Sequence, residues 1–262
     1  MEGLAAQISL VIFIILVVYF GSFTPEKKAA RRKAAYHKFA SKHKNSQFIE
    51  SIELKEISES LTNSQIIFPK DSYNQSFKNV VKIEEKDFTI YLGEYFYQQD
   101  VKRDWMDQYL PKHSGKGINP IHYNDYNWPS NVPKPQKISE EYFNFYYYQK
   151  LCIIKPNIKT YYPDFAVKAK KLGTNEFENL LELDDQTIFN HSYMLAAPKA
   201  SETKVFFNNG KVNALCKQIN KNYIYETIDG LLIVKSEATF FDSLEKLHQN
   251  SINMFTNLIN RF

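Results

Sequence analysis

The chain has 262 residues, 44% apolar and 24% charged, which fits a globular protein and excludes collagen-like or wholly disordered chains. Only 8 residues are glycine, which argues against glycine-rich phosphate loops, while 20 Phe, 18 Tyr and 2 Trp supply an aromatic interior. The net charge of +4 is unevenly placed: eight basic and no acidic residues lie between Lys27 and Lys44, and the residues after Lys44 carry 25 basic against 27 acidic residues, a net −2.

Residues 4–23, LAAQISLVIFIILVVYFGSF, hold no charge. At about 1.5 Å per residue a helix of this length reaches ~30 Å, the hydrocarbon thickness of a bilayer. Met1-Glu2-Gly3 lacks the basic start of a cleaved signal, and Phe20-Gly21-Ser22-Phe23 is a poor cleavage site. The expectation is a transmembrane anchor over 1–23. The basic flank that follows predicts a single-pass cell-membrane protein, N-terminus outside and C-terminal domain cytoplasmic.

Residues 24–44 predict a basic juxtamembrane helix, opened by Thr24 as cap, Pro25 in the first position and Glu26 in the first turn. Lys27, Lys28, Arg31, Arg32 and Lys33 are its expected membrane-surface residues, with the lipid bilayer as partner. Nucleic acid is not expected as a partner. Topology explains the charge, and only Tyr36 and Phe39 interleave with it.

Residues 45–262 are expected to form one cytoplasmic α+β domain. Positions 46–61 read as a helix through Phe48, Ile49, Ile52, Ile57 and Leu61. Short β-branched runs follow at 65–68 and 79–83, then a strong aromatic strand at 87–97. Five prolines and both tryptophans make 99–140 an irregular insertion, far longer than an ordinary loop. Its Trp105, Tyr109, Tyr123, Tyr126 and Trp128 are candidate binding residues, because long loops carry contacts.

A strand is expected over 142–154, stopped at Lys155-Pro156, followed by a short helix over 163–172 and a strand over 187–197. Helical turns are expected over 201–219, broken at Asn208-Asn209-Gly210. The pair Asp229-Gly230, flanked by two β-rich runs within 223–236, predicts a type I′ hairpin. Phe241, Leu244, Leu247, Phe255, Leu258 and Phe262 predict an amphipathic helix over 239–262, its apolar stripe on the sheet. The expected architecture is one N-terminal transmembrane helix followed by a largely antiparallel sheet with helices packed on one face.

Several short motifs carry a resemblance. Asn79-Val80-Val81, the aromatic strand 88–97, Cys152-Ile153-Ile154-Lys155-Pro156, the run 184–195 (DDQTIFNHSYML) and Val205-Phe206-Phe207 form an ordered series. Over roughly 78–236 the chain resembles a family of uncharacterised bacterial membrane-anchored proteins with F-x-L-R-P-E and D-x-D-F-x-x-H-P-x-F-S-x-x-Y-x-L motifs. Here Lys155-Pro156-Asn157 stands at R-P-E, Gln186-Thr187 at H-P and Phe189-Asn190 at F-S. The resemblance implies an architecture and no reaction.

No H-E-x-x-H, C-x-x-C, G-x-S-x-G or phosphate-loop sequence is present. Cys152 lies in an apolar strand, where burial makes a thiol a poor nucleophile, so no catalytic residue and no cofactor are expected. Asp184, Asp185 and His191 are the one cluster suited to a metal. The leading expectation is therefore a binding domain for a protein or small ligand. A metal-dependent hydrolase using Asp184, Asp185 and His191 is the alternative.

Overall fold

The computed structural model describes residues 25–64, 66–67, 72–102, 136–137, 142–159, 162–170, 177–184, 187–208, 219–236 and 243–259. Its strands are β1 (Ser46–Ile52), β2 (Ser72–Glu84), β3 (Phe88–Lys102), β4 (Gln136–Lys137), β5 (Tyr142–Pro156), β6 (Phe165–Ala169), β7 (Leu180–Leu181), β8 (Tyr193–Ala196), β9 (Tyr223–Ile228) and β10 (Leu231–Ser236). Its helices are α1 (Pro25–Ala40), α2 (Leu54–Ile57), α3 (Thr187–Ser192), α4 (Ala200–Asn208) and α5 (Leu244–Ile259), with a 3-10 turn at Glu59–Asn63.

The strands form one sheet in the order β1-β2-β3-β5-β10-β9-β6-β8-β7, with β4 beside β5. Every pairing is antiparallel. The centre is the long β3–β5 ladder, in register from Phe88↔Pro156 to Lys102↔Tyr142. Successive strand residues point to opposite faces, and both faces are buried. On one face Leu92, Cys152, Val167, Tyr225 and Val234 share a core with Phe39 of α1, Phe207 of α4 and Phe255 of α5. On the other, Tyr95, Ile153, Ile224 and Ile233 pack with Leu54 and Ile57 of α2 and with Leu61.

This corrects the expected fold class twice. Helical segments cover both faces of the sheet, because β5, β9 and β10 are apolar at odd and even positions alike and must be shielded on both sides. No helix among the described residues is long and apolar enough to cross a membrane, so none of them is the expected membrane span. Residues 1–23, which carried that expectation, lie outside the described residues.

Individual elements differ too. Residues 46–52 form edge strand β1, whose half-buried Phe48 and Ile49 serve opposite faces; only Leu54–Ile57 is α-helical, and a 3-10 turn follows at Glu59–Asn63. The expected helix at 163–172 is instead β6, buried along its whole length between β8 and β9, where ladder pairing outweighs the helix preference of Ala and Lys. Residues 187–197 divide into α3 and β8. The aromatic strand continues to Lys102, beyond the expected start of the insertion.

Helix α1 is part of the folded domain. Tyr36, Phe39 and Ala40 recur at helical spacing and are buried. Arg32 Nε lies 3.5 Å from Glu94 Oε1, a carboxylate sealed beneath the helix. Asn79 Nδ2 donates to the other oxygen of Glu94 at 2.7 Å. Asn79 occupies a β-bulge of β2 at φ 50°, a left-handed conformation that Asn tolerates better than most residues.

The corner between α1 and α5 is aromatic. His43 and His248 have ring centroids 4.9 Å apart, and Phe39 is 4.8 Å from His43 and 5.4 Å from His248. Nε2 of His248 is buried without a hydrogen-bond partner among the described residues. Burial, and secondly the charge of His43, push His248 down from 6.5 to about 4, while Glu245 opposes them. A folded-state value below the unfolded one means that acid drives protons onto the unfolded chain first. This stabilisation is present above pH 6.5 and is lost as the pH falls towards 4. The melting temperature is expected to drop across that window, and less steeply in His248→Gln. Equal slopes in both proteins would assign the acid sensitivity elsewhere.

Candidate functional site

An open cleft of about 480 Å³ lies at one end of the sheet, where β5 stops. Pro156 ends that strand by removing a ladder donor. The chain then turns over the sheet end, and Asn157 fastens it: its N–H donates to Asp87 O at 2.7 Å and its side-chain amide to Glu85 O at 3.2 Å. Residues 162–165 are stitched to the β9–β10 hairpin. Thr227 Oγ1 donates to Pro163 O at 2.8 Å and accepts the Phe165 N–H at 2.9 Å, and the Tyr162 hydroxyl donates to Gly230 O. The hairpin turn is as expected, with Asp229 at φ 47° and Gly230 at φ 75°.

Both charge signs line the cleft. Lys155 Nζ donates to Ile57 O at 2.7 Å, a carbonyl in the last turn of α2, where a cation suits the helix dipole. Lys199 stands just before α4, with Nζ 3.3 Å from Glu202 Oε1. Asp229 Oδ2 accepts from Ser60 Oγ at 2.6 Å. Asp164, half-buried, accepts the Asp229 N–H on Oδ1 at 2.8 Å. Its other oxygen has no hydrogen-bond donor among the described residues. Burial raises the Asp164 carboxyl above its ordinary value, the Asp229 N–H and Lys199 work against that, and the carboxylates of Asp229 and Glu202 add to it.

Asp184 and His191, singled out in the sequence, are not among the described residues that line the cleft. Trp105, Tyr109, Tyr123, Tyr126 and Trp128 fall outside the described residues, as does Asp185. Asp184 is exposed and paired with Lys204 Nζ at 2.9 and 3.1 Å, and His191 is exposed at the end of α3. No group of three or more His, Cys, Asp or Glu gathers as a metal site among the described residues. Of the basic residues of α1, Arg32 reaches Glu94 and Lys33 Nζ reaches Glu50 at 2.7 Å. Lys27 and Arg31 are exposed, and the Lys28 side chain is outside the described residues. Cys152 is buried, and burial pushes its thiol up to about 12, against the opposing hydrogen bond with Ser251.

The cleft was not anticipated because its walls come from positions as distant as Ser58 and Leu231. Two local signals mark it. Lys155-Pro156 and Tyr162-Pro163 bracket a segment that cannot continue a ladder, and Asp229-Gly230 fixes the turn facing it.

Comparison with family models, with curated protein sequences and with solved structures returned no match.

Proposed function

We propose that this protein binds a small polar solute in the cleft at the end of β5, without covalent chemistry. The carrying observation is Asp164: a half-buried carboxylate in a cavity wall, with one oxygen committed to the Asp229 N–H and the other without a hydrogen-bond donor among the described residues. A volume near 480 Å³ lies within the range of about 300–1,000 Å³ typical of small-molecule sites. The two hydroxyls in the wall are engaged with backbone, Ser58 accepting the Ser60 N–H and Tyr162 donating to Gly230 O. A hydroxyl held by a backbone contact is not thereby activated as a nucleophile, which favours recognition over reaction.

A thermal-shift panel of amino acids, polyamines, carboxylates, phosphates and nucleotides tests the reading. A ligand at 100 times its Kd stabilises by ~2.7 kcal/mol, and a chain of this size gains roughly 2–4 °C per kcal/mol. A saturable rise of about 5–10 °C is expected for one class, absent in a variant with Asp164→Ala and Lys199→Ala together. A flat response to every class would overturn the proposal.

A further inference from the structure

The charge arrangement in the cleft narrows the class of solute. Lys155, Lys159 and Lys199 meet Asp164, Glu202 and Asp229, three charges of each sign, so the lining is formally neutral among the described residues. An anion filling the cavity would pair with lysines but strip water from the carboxylates, and a cation would do the reverse. Desolvating a charge without giving it a partner is costly. A solute carrying both signs in one small molecule satisfies both walls.

The two signs also differ in their commitments. Asp164 offers an oxygen with no donor among the described residues, in surroundings that disfavour its charge until a cation arrives. Lys199 stands at the start of α4, where backbone N–H groups and the helix dipole favour an incoming anion. Glu202 holds Lys199 at only 3.3 Å, a contact that a ligand carboxylate can replace. From this geometry, and resting on the binding function proposed above, we infer that the cleft takes a zwitterion of the α-amino acid or short-peptide type, its ammonium on Asp164 and its carboxylate on Lys199.

Calorimetric titration of the full chain at pH 7 with alanine and dialanine, their N-acetyl derivatives and their C-terminal amides tests the inference, with inorganic phosphate and spermidine as single-sign probes. The free zwitterions are expected to bind at least tenfold more tightly than either capped form and than either single-sign probe. All of these comparisons use the wild-type protein, so they do not depend on a variant folding. Asp164→Asn keeps an acceptor for the Asp229 N–H and is expected to erase the penalty of N-acetylation while leaving that of amidation. If phosphate or spermidine binds as tightly as the zwitterions, or if capping changes nothing, the zwitterion assignment is overturned and the binding function stands. If no probe binds here and none of the broader panel shifts the melting temperature, both fall.

Discussion

Replacing Phe255 by alanine is expected to lower the unfolding free energy by about 3–5 kcal/mol, the usual cost of emptying an aromatic site in a core. Phe255 is fully buried on α5 and meets Phe88 edge to face, with centroids 5.1 Å apart. Its neighbours in the core are fixed by ladder hydrogen bonds, since Leu92 and Cys152 pair across β3 and β5 and Val234 pairs with Cys152 across β10. Such surroundings cannot collapse into the space vacated, so the cavity cost adds to the lost transfer energy. At roughly 2–4 °C per kcal/mol the melting temperature falls by about 6–20 °C. Thr256→Ala, one position along on the exposed side of α5, is the control and is expected to change stability by under ~0.5 kcal/mol. Urea unfolding of the two variants decides the matter. Equal and small losses would mean that α5 is not docked on the sheet through this stripe.

The helix that carries Phe255 was legible because its apolar positions repeat at one period only. With Ser251 between them, Leu244, Leu247, Phe255 and Leu258 recur at three- and four-residue steps that no strand reproduces, and all five are buried. The β9–β10 hairpin was legible because Asp229-Gly230 is one of few pairs that accept positive φ at both positions. Residues 46–61 were not, since Phe48, Ile49 and Ile52 suit a helical stripe as well as a strand that shares its apolar residues between two faces. Nor was β6. Ala166, Lys168 and Ala169 favour a helix in isolation, and only pairing with β8 and β9 holds them extended. The helices were expected on one face only. The run Leu231-Leu232-Ile233-Val234 carried the contrary signal, being apolar at every position. The cleft was least legible of all. Its charged residues look like ordinary solvent-facing charges in the sequence, and they converge only because Pro156 ends one strand beside the turn that joins two others.

Gly93→Ala is expected to destabilise the protein by about 1–3 kcal/mol, although alanine is ordinarily the better strand residue by roughly 0.5–1 kcal/mol. The reason lies across the ladder in β2. The bulge at Asn79 shifts the register between Lys78 and Val81, so Phe77 and Val80 both project onto the face that Gly93 shares. A Cβ at position 93 would lie 2.8 Å from Phe77 Cε2, 2.9 Å from Val80 Cγ2 and 3.0 Å from Lys78 O. None of the three yields easily. Phe77 is fully buried, Val80 is fully buried and stiff at χ1, and the third is a backbone carbonyl. Relief through Val80→Ala therefore separates this clash from a general intolerance of β3. Val80→Ala alone leaves a cavity and is destabilising. In the Gly93→Ala background the same change removes one clash and is expected to cost less, a favourable coupling of about 0.5–3 kcal/mol between neighbouring sites. Strict additivity would show that Gly93 is not pressed by the bulge. A Gly93→Ala protein more stable than wild type would show that the face between β2 and β3 has room for a methyl group, and that Gly93 is not required by the close approach of Phe77 and Val80.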